Sequence, residues 1–395
     1  MIRLSMETPG FGLVELLVAA AIMLVVTSGV FLLLKPARGM FEAQAEVSDV
    51  QQRLRVGVET LRHDLAMAGA GAYVGSNAGS LMTYFAPVLP YRQGASSAYD
   101  DGVGQFRGDA LTIRYVPSTS AQTSLKDPTD ASATVSMNLD PGCPLNDQIC
   151  GFKVGQTVAV YDGTGAFDTF AVSGTGGPHT LQLQHKQLGP VSKIYPANAK
   201  IVEIVERVYF HDDLKKQLMR YNGLSSAVPV LDNVVGLAFD YYGDPALPIV
   251  FSPDGNPRTS YGPLPPPSDT AQGSWPQGEN CMFQLSGTAH VPRTGLAWLG
   301  TAGGGLVRFS PAQLIDGPWC PDDTSDNRYD ADLFRIRRIR VTLRVQTGIA
   351  ALRGSLVAGP DALFAQAGTS QGAERLVPDR SIRFDVSPPN LNFGR

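Results

Sequence analysis

Residues 11–34 read FGLVELLVAAAIMLVVTSGVFLLL, apolar throughout except for Glu15 and the weakly polar Thr27 and Ser28. As an α-helix this run is ~36 Å long at ~1.5 Å per residue, enough to cross a hydrocarbon layer of ~30 Å. A cleavable secretory signal has an apolar region of only about 7–15 residues and a small-x-small site directly after it. Neither holds here, so the run predicts a lasting membrane anchor. Arg3 lies before it and Lys35 and Arg38 after it, so flanking positive charge alone does not decide its orientation.

Glu15 is the anomaly in this run. A charged side chain deep in a bilayer costs about 2.5–3.5 kcal/mol on insertion scales, so an intramembrane carboxylate calls for a partner. A cut after Gly10 would create one, because the new α-amino group of Phe11 would lie one helical turn from Glu15. In a stack of such helices, one subunit's carboxylate neutralises a neighbour's terminus. The alternative is a plain signal anchor whose Glu15 sits at the level of the lipid headgroups.

The helical pattern continues past the anchor. Val47, Val50, Leu54, Val58, Leu61 and Leu65 recur every three or four residues, one apolar stripe on a helix. Glu46, Asp49, Arg53, Arg55, Glu59, Arg62 and Asp64 fill the other faces, which predicts a helix half-buried against a globular body. Gly69 and Gly71 supply the stop. Pro36 predicts a kink or local melting, because proline lacks an N–H and clashes with the preceding turn.

At Gly10, Phe11, Leu13, Val14 and Glu15 the chain resembles the type IV prepilin cleavage and methylation motif. The segment Leu61-Arg-His-Asp-Leu-Ala-Met-Ala-Gly69 resembles the end of the same helix in PilW-type minor pilins and the related J-type pseudopilins. The resemblance implies Gly10 as the processing residue, cut by a prepilin peptidase, Phe11 as the N-methylated new terminus and Glu15 as the assembly carboxylate. Gly12 stands where that family usually has Thr or Ser, and Glu7, Thr8 and Pro9 precede the cut in place of a basic residue.

After Gly71 the period changes from helical to alternating. Leu111, Ile113 and Tyr115 alternate with Thr112 and Arg114, and Val235, Leu237, Phe239 and Tyr241 alternate through 234–242, both predicting half-buried strands. Val202–Phe210 and Gln217–Tyr221 flank a polar segment and predict a hairpin with a longer loop. In 333–346 the apolar parity switches, so a bulge at Arg337–Arg338 is expected to restore one face, and the strand is expected to pack on the helix or on a second layer of the body. The stretches 72–108, 117–148 and 242–331 are rich in Gly, Pro, Ser and Asp and predict long loops or a small subdomain. With 42 Gly, 29 Pro and only 17% charged residues, the composition favours strands joined by loops over a helical bundle.

Cys143, Cys150, Cys281 and Cys320 show no C-x-x-C and no partnered histidine at zinc spacing. Structural disulfides fit an extracytoplasmic domain, and the sequence proximity of each pair favours 143–150 and 281–320 over four buried free thiols. The five histidines, His63, His179, His185, His211 and His290, are scattered. No H-E-x-x-H, G-x-S-x-G or P-loop is present, and no acid, base and nucleophile converge in the sequence, so the reading is a non-enzyme without a cofactor. Asp322, Asp323, Asp326, Asp330 and Asp332 offer oxygen ligands for Ca²⁺ but lack EF-hand spacing, and a solvated loop is the expectation. Arg335, Arg337, Arg338, Arg340 and Arg344 make a basic strand without interleaved aromatics. They are expected to pair with acids such as Glu203 and Glu206 in preference to DNA phosphates. The net charge of −4 gives no global drive toward nucleic acid either.

The expected fold is α+β and type IV pilin-like: leader 1–10, transmembrane segment 11–35, amphipathic helix half 36–70, and a β-rich extracytoplasmic head 71–395 with its antiparallel strands on the helix. The expected function is that of a minor pilin, which inserts in the inner membrane with its head in the periplasm and, after leader cleavage, helps initiate or cap a filament at the cell surface. Its partners are then other minor pilins and a major pilin, through the N-terminal helix. The alternatives are a J-type pseudopilin of a type II secretion system and a membrane-anchored adhesive or ligand-binding module.

Overall fold

The computed structural model describes residues 12–71, 86–102, 104–119, 121–130, 134–139, 141–162, 167–186, 190–191, 193–224, 227–245, 249–251, 257–259, 283–286, 289–292, 299, 305–317, 319–320, 328–353 and 377–392. They fall into two units, Met1–Gln52 with Gln346–Arg380 and Arg53–Val345 with Ser381–Arg395.

One helix, α1 (Leu13–Ala66), supplies residues to both units. Helical conformation runs through Pro36, so the expected melting does not occur there; a proline deletes a single i→i−4 bond, and the helix spans the gap. Leu13–Leu32 is long and apolar enough to cross a membrane by length and composition, and none of it is buried. In the same unit, Glu46 on α1 accepts a hydrogen bond from the Thr347 hydroxyl and one of 3.0 Å from the Gly348 N–H. Arg353 Nε donates to the Thr347 carbonyl at 3.0 Å, closing the turn around that contact.

The second unit is built on the last turns of α1. Leu54, Val58, Leu61 and Leu65 are buried at the predicted spacing. Gly57 sits on this face because a Cβ there would lie 2.9 Å from Cδ2 of both Leu231 and Leu343. The helix ends through tightened i→i+3 bonds, Met67 N–H to Asp64 O and Ala68 N–H to Leu65 O. Gly69 and Gly71 follow with φ of 72° and 67°, as the sequence predicts.

The strands are antiparallel throughout. A ten-stranded sheet contains β1 (Val88–Leu89), β2 (Ala110–Tyr115), β3 (Gln122–Ser124), β4 (Thr134–Ser136), β5 (Thr157–Tyr161), β6 (Phe167–Gly177), β7 (Thr180–His185), β8 (Lys200–Asp212), β9 (Gln217–Tyr221) and β10 (Val228–Asp232). β8 is its central member: one side pairs with β2 and β3, the other with β5 and β9. The predicted hairpin is β8 and β9, turning through Asp213–Lys216. The chain continues through β11 (Val234–Gly243), the short strands β12 (Ile249–Phe251), β13 (Pro257–Thr259), β14 (Phe283–Ser286) and β15 (Ala289–Pro292), then β16 (Val307–Arg308), β17 (Trp319–Cys320), β18 (Tyr329–Asp330), β19 (Ile336–Val345) and β20 (Arg380–Val386). A second sheet has the order β16-β11-β19-β20. Across it Tyr242 faces Arg338 while Gly243 faces Ile336, so Arg337 is the extra residue of a bulge, as expected. The bulge lets Ile336, Ile339, Val341, Leu343 and Val345 all be buried.

Three expectations need correction. β11 is half-buried as predicted, but β2 is buried on both faces, Thr112 and Arg114 included. The stretches read as loops carry β1, β3, β4 and β12 to β18; Gln122-Thr-Ser lacks apolar alternation and holds strand form through its ladder to β8. Strands β5, β6 and β7 enclose a core of Phe152, Val158, Val160, Phe170, Leu181 and Tyr195 in a region where no strand was expected.

Candidate functional site

At the head of α1 the Glu15 Oε2 accepts the Gly12 N–H at 3.1 Å, while the Gly12 carbonyl accepts the Leu16 N–H at 3.2 Å. Gly12 therefore occupies the N-cap position and Glu15 reaches back to it, half of a capping box, with negative charge at the positive end of the helix dipole. The spacing of three residues from Gly12 to Glu15 is the sequence signal for this bond. Glu15 makes no other hydrogen bond among the described residues. What the arrangement offers is a carboxylate at the end of an uncovered apolar helix. Gly10 and Phe11 lie outside the described residues.

Cys143 and Cys150 form the expected disulfide, with Cα atoms 4.6 Å apart. The Asp147 carboxylate holds the enclosed loop by accepting N–H bonds from Ile149 at 2.9 Å and Gly151 at 2.8 Å. Cys150 is buried in the core enclosed by β5, β6 and β7, and Leu145 stands 94% exposed in the loop. Cys320 is buried and disulfide-bonded; Cys281 lies outside the described residues.

A buried ionic group lies between β2, β8 and the end of β7, with Glu206 paired to Arg114 and Lys186 in place of the arginines of 335–344 expected from the sequence. Arg114 Nε lies 2.9 Å from Glu206 Oε2, and Lys186 Nζ lies 3.3 Å from Glu206 Oε1. Arg114 also donates to Gln93, and Lys186 to the Asn222 carbonyl at 3.1 Å. Burial alone would raise the Glu206 carboxyl, but Lys186 and Arg114 overcome it and hold it below its ordinary value. Burial pulls Lys186 below its ordinary value in turn. Two cations locked onto one anion fix the strands to each other.

The arginines of 335–344 are engaged within the protein, though not by Glu203 or Glu206 as expected. Those acids lie on β8 of the ten-stranded sheet, and the arginines lie in or beside β19 of the other sheet. Arg335 Nε is 3.1 Å from Asp332 Oδ1 and Arg337 Nε is 3.0 Å from Asp244 Oδ2. Arg338 and Arg340 share Asp385 and lie 5.3 and 4.8 Å from the Tyr242 ring centroid. Arg344 is buried.

Asp322, Asp323 and Asp326 lie outside the described residues. Asp330 and Asp332 are not on a solvated loop: with Asp316 they form a cluster whose carboxylate oxygens lie within 4.8 Å of one another, Asp330 being buried. Burial raises the Asp330 carboxyl to about 7, with Asp316 adding to the rise, against backbone N–H bonds from Asp332 and Gly317 that favour ionisation. Burial, Asp330 and Asp316 push Asp332 the same way, with the Arg335 guanidinium beside it.

Two of the histidines sit beside acids. His185 Nε2 lies 3.2 Å from Asp168, which also accepts the Tyr195 hydroxyl at 2.6 Å. His211 meets Asp109 and Asp213, a grouping invisible in the sequence because Asp109 stands at the start of a different strand. No protein-family model matches the chain, and no curated protein matches it.

Proposed function

We propose that this chain is a minor-pilin-like filament subunit, cut after Gly10 and carried in the inner membrane by α1 before it joins a filament with its head outside the cytoplasm. The observation that carries the reading is the Leu13–Leu32 surface of α1: apolar, unburied, and headed by the single carboxylate of Glu15. Such a surface has two apolar solvents open to it, lipid and the matching helices of other subunits. Lipid explains the apolar side chains and leaves Glu15 only its local bond to the Gly12 N–H; a bundle of like helices with free amino termini also gives the carboxylate a charged partner. The disulfide-bonded, β-rich body suits an oxidising compartment. As an initiating or capping subunit, its contacts would be with other minor pilins and the major pilin through α1.

Two measurements test this. Mass spectrometry of protein from its host should find Phe11 as the N-terminus, and an intact leader would sink the reading. Glu15→Ala should leave the protein in the membrane, since insertion becomes cheaper, yet deplete it from sheared filaments. Equal filament incorporation of wild type and mutant would show that Glu15 serves only the capping bond to Gly12.

A further inference from the structure

The geometry points to a divalent-cation site at Asp109, His211 and Asp213, where β2 begins and the β8 to β9 turn opens, suited to a borderline first-row metal of the zinc type. The three residues offer ligand atoms that all lie within 4.8 Å of one another. The decisive feature is the imidazole. His211 is only 7% exposed, and its Nε2 lies 2.9 Å from the Val234 carbonyl oxygen. A carbonyl can only accept, so Nε2 carries a proton and is not available as a ligand, which leaves Nδ1 to face the acids. Nδ1 lies 3.1 Å from Asp213 Oδ1. A proton or a metal ion can join two such atoms, and Asp109 offers a third ligand atom within 4.8 Å that a metal would use and a shared proton would not.

The spacing suits a metal. With Zn–N and Zn–O bonds of about 2.0–2.1 Å, two ligands of a tetrahedral ion stand ~3.3 Å apart. The surrounding groups are those that steady metal ligands: a backbone carbonyl fixes the imidazole tautomer, and Arg107 holds Asp109 through Nε and Nη2, both at 2.9 Å. Each Asp109 oxygen keeps a further lone pair for a ligand. The His211 N–H also donates to the Asp109 carbonyl at 3.2 Å, joining the two residues through the backbone. Arg107 and Lys216, whose Nζ lies 4.0 Å from Asp213, lower the affinity without blocking the ligand atoms. One imidazole and two carboxylates favour zinc-like ions over calcium, which takes 6–8 oxygens.

The test uses the full chain in detergent, with zinc chloride as the probe and bound metal counted after equilibrium dialysis. One zinc per chain is expected, undisturbed by excess calcium or magnesium, with visible d–d bands when cobalt is substituted. Asp213→Asn, on an exposed turn where folding is not at stake, should weaken binding about tenfold or more, and His211→Asn should weaken it further. His185→Asn should leave it unchanged. Absence of bound zinc, displacement by calcium, or wild-type binding in both Asp213→Asn and His211→Asn would overturn the assignment, leaving a proton shared between His211 and Asp213 as the cation.

Discussion

The Tyr209 hydroxyl donates a 2.6 Å hydrogen bond to Asp64 Oδ2, joining β8 to a helical residue 145 positions earlier. Both residues are buried, so neither can exchange this bond for water. Burial and the neighbouring Asp64 push the phenol well above its ordinary pKa, which keeps it a donor at every pH the protein meets. Tyr209→Phe strands a buried carboxyl and is expected to lower stability by about 1–3 kcal/mol, read from the thermal midpoint of the full chain in detergent. Asp64→Asn retains an acceptor and should lose less.

Glu206 and Lys186 are partners, but removing one is not equivalent to removing the other. Glu206→Ala leaves Arg114 and Lys186 buried without their common anion, and a cost of about 3–5 kcal/mol is expected. Lys186→Met leaves Arg114 paired with Glu206 and should be much milder. Equal losses, measured by thermal or denaturant unfolding, would refute the account of Glu206 as the hub.

Stability should fall as the pH rises from 4 toward 7. The unfolded chain releases the Asp330 proton near 3.8, and the folded chain keeps it until about 7. Between those values only the folded state holds the proton, so each step up in pH favours unfolding, and because burial and Asp330 raise Asp332 to about 8 the effect levels off only above about 8. Asp316→Asn removes a neighbouring negative charge, lowers the folded pKa and should flatten the decline in a pH series of melting curves.

Gly57 lies against side chains of the β-structure, where an added Cβ would stand 2.9 Å from Leu231 and Leu343. Gly57→Val forces side-chain atoms into the space of the Leu231 and Leu343 methyls, and an overpacking cost of about 1–3 kcal/mol is expected. Gly57→Ala should cost less, because about 1 kcal/mol of helix propensity is gained against the same crowding. Combining Gly57→Val with Leu343→Ala should recover part of the loss.

The parts of this fold legible in the sequence are those whose signal is local. The stripe from Leu54 to Leu65, the β8 to β9 hairpin, the extra residue at Arg337 and the pairing of Cys143 with Cys150 each depend on neighbours a few positions away. What escaped depends on distant partners. Arg114 looks like the polar side of a half-buried strand until Glu206, 92 positions on, gives it a buried anion. Lys186 is buried for the same reason, and Asp316 joins Asp330 only through the fold. The His211 grouping shares this character, since one of its three members precedes it by a hundred residues of chain. Gly10, Phe11 and Cys281 lie outside the described residues.

The central position of β8 bears on how this protein comes apart. Its first residues carry β3 and β5 and its last carry β9, with β2 bonded along the stretch between and beyond. Neither β2, β3, β5 nor β9 can leave the ten-stranded sheet without breaking a ladder on Lys200–Asp212, whereas β1, β10 and the β6, β7 and β4 series are attached through those neighbours. That strand should therefore open only when the whole sheet does, and the amide protons of Ile201–Phe210 should exchange with solvent deuterium most slowly of the described strands. Its partners come from both earlier and later in the chain, so the sheet is expected to close late in folding: β2 can pair with β1 and β5 with β6 beforehand, but their ladders to Lys200–Asp212 must wait for β8.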